Sequence, residues 1–184
     1  MKLGALVLRG TIGSLFVGHG TQKLFGWFDG PGLEGVTGMM ESMELRPARR
    51  HALAVGLSET VGGALLTLGA FTPLATTMLT GVMTTAIRKV HAARGVWNTG
   101  GGYEYNAVLI AATAALADHG PGALSVDSAR FPRMHGPAWA AAAVAAGVAG
   151  SYLVERPPFN EPAPEPDART GRFDRVEQPV EATA

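Results

Sequence analysis

The chain contains no cysteine, which excludes disulfides, zinc-thiolate centres, iron-sulfur ligation and any thiol redox step carried out by this chain alone. It also lacks an excess of either charge: 15 Lys and Arg balance 15 Asp and Glu. Net neutrality gives no reason to expect a polyanion as a ligand, so nucleic acid is not an expected partner. Sustained alternation of apolar and polar residues is missing too, which argues against a membrane β-barrel.

Charge is absent over long stretches. Thr60 to Ile87 and Met134 to Val154 hold no Asp, Glu, Lys or Arg, and runs of that length suit a lipid solvent. Thr72-Pro73 interrupts the first run, because proline disfavours helix in the residue before it. Five spans are expected, at about 3–28, 51–71, 73–93, 103–118 and 137–154. The N-terminal segment has the Lys2 and apolar run of a signal peptide, but Arg9 interrupts it and no small-residue cleavage site follows, so a retained first span is expected. From Glu155 onward the chain has 7 acidic residues, 4 arginines and half of the 12 prolines. That composition predicts a disordered tail.

Small residues recur at four-residue spacing as Gly10, Ser14 and Gly18 in the first span and as Gly56, Thr60 and Ala64 in the second. Such rows let helix backbones approach closely within a bundle or between copies of the chain, so an oligomer is compatible with the sequence.

The polar residues sort by depth. Spans one and three end, and spans two and four begin, on the same side. At helical rise His19 lies about 13 Å from that edge and Glu59 about 12 Å, with Lys23 one turn shallower than His19. A charge at mid-bilayer costs about 2.5–3.5 kcal/mol on insertion scales, so Glu59 and Lys23 are expected to face the bundle interior and each other. Glu59, His19 and Lys23 are the candidate reactive set. The competing reading is an ion pair that only ties helices together. Trp27, Phe28, Trp97, Tyr103, Tyr105 and Tyr152 fall near the same edge, as an interfacial aromatic belt would. Arg9, in the opposite half, is expected to snorkel. Glycine-rich loops at 29–35 and 98–102 border the polar side. Arg46, Arg49, Arg50, Arg94 and Arg156 outweigh Lys2, Arg130 and Arg133 opposite, which places the polar side towards the cytoplasm.

Four blocks carry a family pattern: LRGTIGSLFVGHGTQKLFGWFDGPGLEG (8–35), LRPARRHALAVGLSETVGGALLTLGAFTPLA (45–75), VHAARGVWNTGGGYEYN (90–106) and GPGALSVD (120–127). Together they resemble the DoxX family of bacterial membrane proteins over roughly residues 3–128. The resemblance implies an all-α, polytopic four-helix bundle over 1–128 in the bacterial plasma membrane. An additional transmembrane helix over 129–154 and the tail over 155–184 would be additions to it. It also implies redox biology, since the family is named for a subunit of a thiosulfate:quinone oxidoreductase and a mycobacterial relative is described as assembling with a superoxide dismutase and a sulfurtransferase. On matching positions it adds His91, Trp97, Asn98, Tyr103, Glu104 and Asn106 to the functional wall, as ligand-binding residues without assigned roles.

Three functions fit these features: a membrane redox component that binds a quinone or docks a soluble oxidoreductase in oxidative-stress or sulfur chemistry, a conduit for a small molecule or ion, and a non-catalytic assembly platform. In the first, His19 or His91 would hydrogen-bond a quinone carbonyl and Glu59 would move a proton. Haem ligation by His19 and His91 is disfavoured, because their expected depths differ by more than a turn. No metal site is expected.

Overall fold

The structure, a computed structural model, describes residues 3–162. Among them the fold is all-α, with seven helices and no strand. The helices are α1 (Leu3–Phe25), α2 (Gly32–Ser42), α3 (Ala48–Leu68), α4 (Thr72–Ala86), α5 (Glu104–His119), α6 (Val126–Arg130) and α7 (Pro137–Leu153). Helices α1, α3, α4, α5 and α7 correspond to the five expected spans. One of them, α3, is both long and apolar enough to cross a membrane; α7 is apolar but shorter.

Antiparallel α1 and α3 form the tightest pair, and glycine is the reason. A Cβ on Gly13 would stand 2.6 Å from the Gly63 carbonyl oxygen, and one on Gly20 would stand 2.7 Å from that of Gly56. Two backbones can therefore meet without side chains between them. The seam differs from the expected row on α1. Gly10 and Gly18 face open space and Ser14 is exposed, because the four-residue spacing is met by residues on the outer face while the buried glycines repeat every seven. On α3, Gly56 and Thr60 do lie in the contact.

Helix α3 ends where Gly69 takes φ 59°, and its N–H caps the Leu66 carbonyl at 3.0 Å. The chain turns through Phe71 into α4, whose first-turn amides have no partner within the helix. Asp127, from α6, supplies one: its carboxylate accepts from Phe71 N at 2.7 Å, Thr72 N at 2.8 Å and the Thr72 hydroxyl at 2.6 Å. Arg9 closes the same end. It is buried and donates to the carbonyls of Thr67 and Leu124, so it does not snorkel. The backbone offers two acceptors closer than the interface.

At the other end α4 widens into a π-helical turn over Ile87–His91. Arg88 from this turn lies 3.6 Å over the Tyr152 ring, donates to Ser151 O at 2.7 Å and pairs with Glu155 at 2.9 Å; Lys89 meets the same carboxylate at 3.1 Å. The first residues of the expected tail are thus held. Asn160 accepts from Arg46 N at 2.6 Å and Glu161 N donates to Arg46 O at 2.9 Å. Residues 163–184, the rest of that expectation, lie outside the described residues.

Helix α2 replaces part of an expected glycine-rich loop. Val36 and Met40 are buried with Leu45, Ala48 and Ala52, which lays α2 across the start of α3. Replacing Gly13 by Val should cost about 1–3 kcal/mol by overpacking the seam, whereas Gly10→Val should be close to neutral. Thermal unfolding in detergent checks both, and equal shifts would contradict this seam.

Candidate functional site

A charge pair straddles the Gly20–Gly56 contact. Because the helices run antiparallel, Lys23, one turn after Gly20, and Glu59, one turn after Gly56, lie on opposite sides of that contact, and the close backbones let their long side chains reach across it. Lys23 Nζ donates to Glu59 Oε2 at 2.6 Å, with Glu59 only 3% exposed. The lysine side chain is 20% exposed and keeps two further N–H donors.

His19, one turn before Lys23, has its ring orientation set by neighbours. The Gln22 amide nitrogen donates to Phe28 O at 3.3 Å, so its oxygen faces His19 Nδ1, 3.1 Å away. Nδ1 then carries the proton and Nε2 of the neutral ring remains an acceptor. His91, on the π-helical turn, is arranged alike, with Nδ1 2.7 Å from the Gly101 carbonyl oxygen. A carbonyl oxygen cannot donate, so here too Nδ1 carries a proton, and in the neutral ring Nε2 is the acceptor.

All four residues line one cleft of about 570 Å³, together with Asn106. Asn106 is buried and donates to Met83 Sδ at 3.3 Å. Apart from Thr11, Thr85 and Tyr105, the rest of the wall is apolar. Phe16, Val82 and Leu109 are part of it, and Met39 and Met40 of α2 and Met43 just beyond the helix border it. The arrangement is a greasy slot with donors and acceptors grouped on one part of its surface, suited to an amphipathic molecule whose polar head hydrogen-bonds and whose remainder is apolar.

Of the residues named from the sequence, the structure brings His19, Lys23, Glu59, His91 and Asn106 to this cleft. Trp97, Asn98, Tyr103 and Glu104 lie outside its lining. They build the turn between α4 and α5: Trp97 O accepts from Gly100 N and Gly102 N, Tyr103 N donates to Gly95 O, and Glu104 accepts from Asn98 N at 2.9 Å. Trp97 is 71% exposed, with Trp27 and Phe28 exposed near the same end. Their part is to fix Gly101, and through its carbonyl His91. The methionines of α2, Met43 at its C-terminal end and Met83 were not read from the sequence. The alternation of Val36, Met39, Met40 and Met43 at helical spacing was a signal for all but Met83, hidden by the glycines around it. Among the described residues there is no cluster of His, Asp and Glu able to hold a metal ion.

Residues 4–92 match the family model described as DoxX. The match includes α1 to α4 and the π-helical turn, and so Lys23, Glu59 and both histidines; α5 and Asn106 lie beyond it. No curated protein and no solved structure matches the chain.

Removing Lys23 leaves Glu59 buried and uncompensated, so Lys23→Met should destabilise the fold by about 3–5 kcal/mol, whereas Glu59→Met leaves only the partly exposed Lys23 unpaired and should cost less. The double variant should recover much of the Lys23→Met loss. A double-mutant cycle on thermal unfolding in detergent measures the coupling, and purely additive losses would show that the pair is not a contact.

Proposed function

We propose, for a chain that belongs to the DoxX family of membrane proteins, a multi-pass bundle that binds a quinone as part of a membrane redox system. The observation that carries this reading is the cleft, which sets hydrogen-bond donors and acceptors against a largely apolar wall.

The outward faces of the bundle support the multi-pass placement. Leu8 and Leu15 of α1, Leu57 and Val61 of α3, Leu74 of α4 and Val108 of α5 are all exposed, and an apolar surface spread over so many helices needs hydrocarbon or another protein against it. Helix α1 has 23 residues, about 34 Å at helical rise, enough for a hydrocarbon core of about 30 Å. Its two charges are both taken inward, Arg9 to backbone carbonyls and Lys23 to Glu59.

Quinone chemistry asks for groups of both kinds. The oxidised ring presents carbonyl oxygens, which need donors, and Lys23 has two N–H groups left after serving Glu59. The reduced ring presents hydroxyls, which need acceptors, and both histidines keep Nε2 for that purpose. Glu59, held by the lysine, is the group through which a proton would pass. With no cysteine in the chain, thiol or sulfur oxidation belongs to a soluble enzyme docked at the polar end, and the family resemblance favours such a partner. A conduit is served less well, since the far end of the bundle is tied by Arg9 and Asp127 to backbone groups.

Decylubiquinone should bind the protein in lipid nanodiscs saturably, at one molecule per chain, when bound quinone is extracted into solvent and empty nanodiscs are subtracted. His91→Phe and His19→Phe should each weaken it by roughly fivefold to tenfold, the loss of about one hydrogen bond. Uptake indistinguishable from partitioning into empty discs would contradict the proposal.

A further inference from the structure

The cleft is not closed on all sides. On α1 its border runs through Leu8, Thr11 and Leu15, a single exposed stripe; on α5 it runs through Tyr105 and Val108. Leu15 is 51% exposed and Val108 61%. The two helices pack against each other only sparingly, each being held mainly by others: α1 by α3, α5 by α4 and α7. A gap between them therefore leads from the cleft to the outer face.

Its rims carry no charge. From Leu8 to His19 the only ionisable side chain besides the histidine is Arg9, which turns away to Thr67 and Leu124, and from Tyr105 to Ala112 there is no Asp, Glu, Lys, Arg or His. In the multi-pass placement an apolar gap along the length of two helices faces acyl chains, not water.

Four of the 7 methionines, Met39, Met40, Met43 and Met83, line the cleft. Unbranched and polarisable, methionine adapts to occupants of varied shape. A slot of about 570 Å³ is in the range that encloses a drug-sized molecule, enough for a polar ring and the first part of a tail. A longer tail has to leave, and the gap is where the wall lets it.

We propose that the ligand reaches this cleft sideways from the hydrocarbon, through the gap between α1 and α5, and that it is an amphipathic lipid whose hydrogen-bonding head lies near Lys23, His19 and His91 while its long tail remains in the bilayer. This rests on the quinone-binding reading above and adds the route and the tail.

The test narrows the gap without touching the polar groups. Leu15→Trp/Val108→Trp adds bulk at two exposed rim positions, and Leu57→Trp on the exposed face of α3 is the control. Binding of decylubiquinone and of the tail-less duroquinone is measured in nanodiscs by equilibrium dialysis and solvent extraction. The rim variant should bind decylubiquinone about tenfold more weakly and duroquinone within about twofold of the unsubstituted protein, with the control unchanged for both. Equal weakening of the two probes, or no weakening of either, would overturn the lateral route while leaving the quinone site in place. Failure of both probes to bind the unsubstituted protein saturably would remove that site and this proposal with it.

Discussion

A lysine and a carboxylate 2.6 Å apart between two apolar helices set the terms for the rest of this molecule. Taking two charges out of water costs several kcal/mol per ion, and only close, well-directed contact offsets it. The chain meets that condition by bringing α1 and α3 together on glycine. Gly13 faces Gly63 and Gly20 faces Gly56, and the pair spans the second of these contacts, Lys23 on one side of it and Glu59 on the other. Bulk at the seam would push the helices apart and leave Glu59 buried without its partner.

The two ends of the bundle use polar groups in opposite ways. Around Arg9 and Asp127 every contact described goes to backbone or to a capping hydroxyl, and these groups finish helices: Asp127 serves the first turn of α4 and Arg9 takes the carbonyls of Thr67 and Leu124. Around Lys23 and Glu59 capacity is left over, as two lysine N–H groups and a lone pair on each histidine ring. Polar groups spent on backbone hold helix ends in place, whereas unspent ones facing a cavity are available to a ligand. The C-terminal segment reinforces the second end from outside. Glu155 clamps Arg88 and Lys89, two neighbouring residues within the turn that presents His91.

Much of this was legible from residue spacing. Helix placement followed from charge-free runs and from Pro73, and counting residues from the helix ends was enough to put His19 and Glu59 at one level. Signals that depend on which face of a helix is buried were not. Gly10, Ser14 and Gly18 have the right spacing on the wrong face, and the true seam, at seven-residue intervals, is no different by composition in a chain with 25 glycines. Helix α2 was obscured because Gly32, Gly35 and Gly38 lower helix propensity locally; burial of Val36 and Met40 overrides that cost. Arg9 could not be resolved because its partners are carbonyls of α3 and of the segment before α6, which no side-chain pattern advertises. Trp97, Asn98, Tyr103 and Glu104 are close to the site in sequence, yet the hydrogen-bonded turn draws them away from the cleft.

Contact between Lys23 and Glu59 inside the bundle is read most directly by dipolar recoupling in solid-state nuclear magnetic resonance of the protein in hydrated bilayers. With lysine side-chain nitrogens and glutamate carboxyl carbons isotopically labelled, and with Glu155→Gln removing the competing Lys89 contact, the account predicts strong dephasing that vanishes in Glu59→Gln. Dephasing at the level of the Glu59→Gln background in the otherwise intact protein would mean that the pair is not formed, and the polar end of the cleft would lose its foundation.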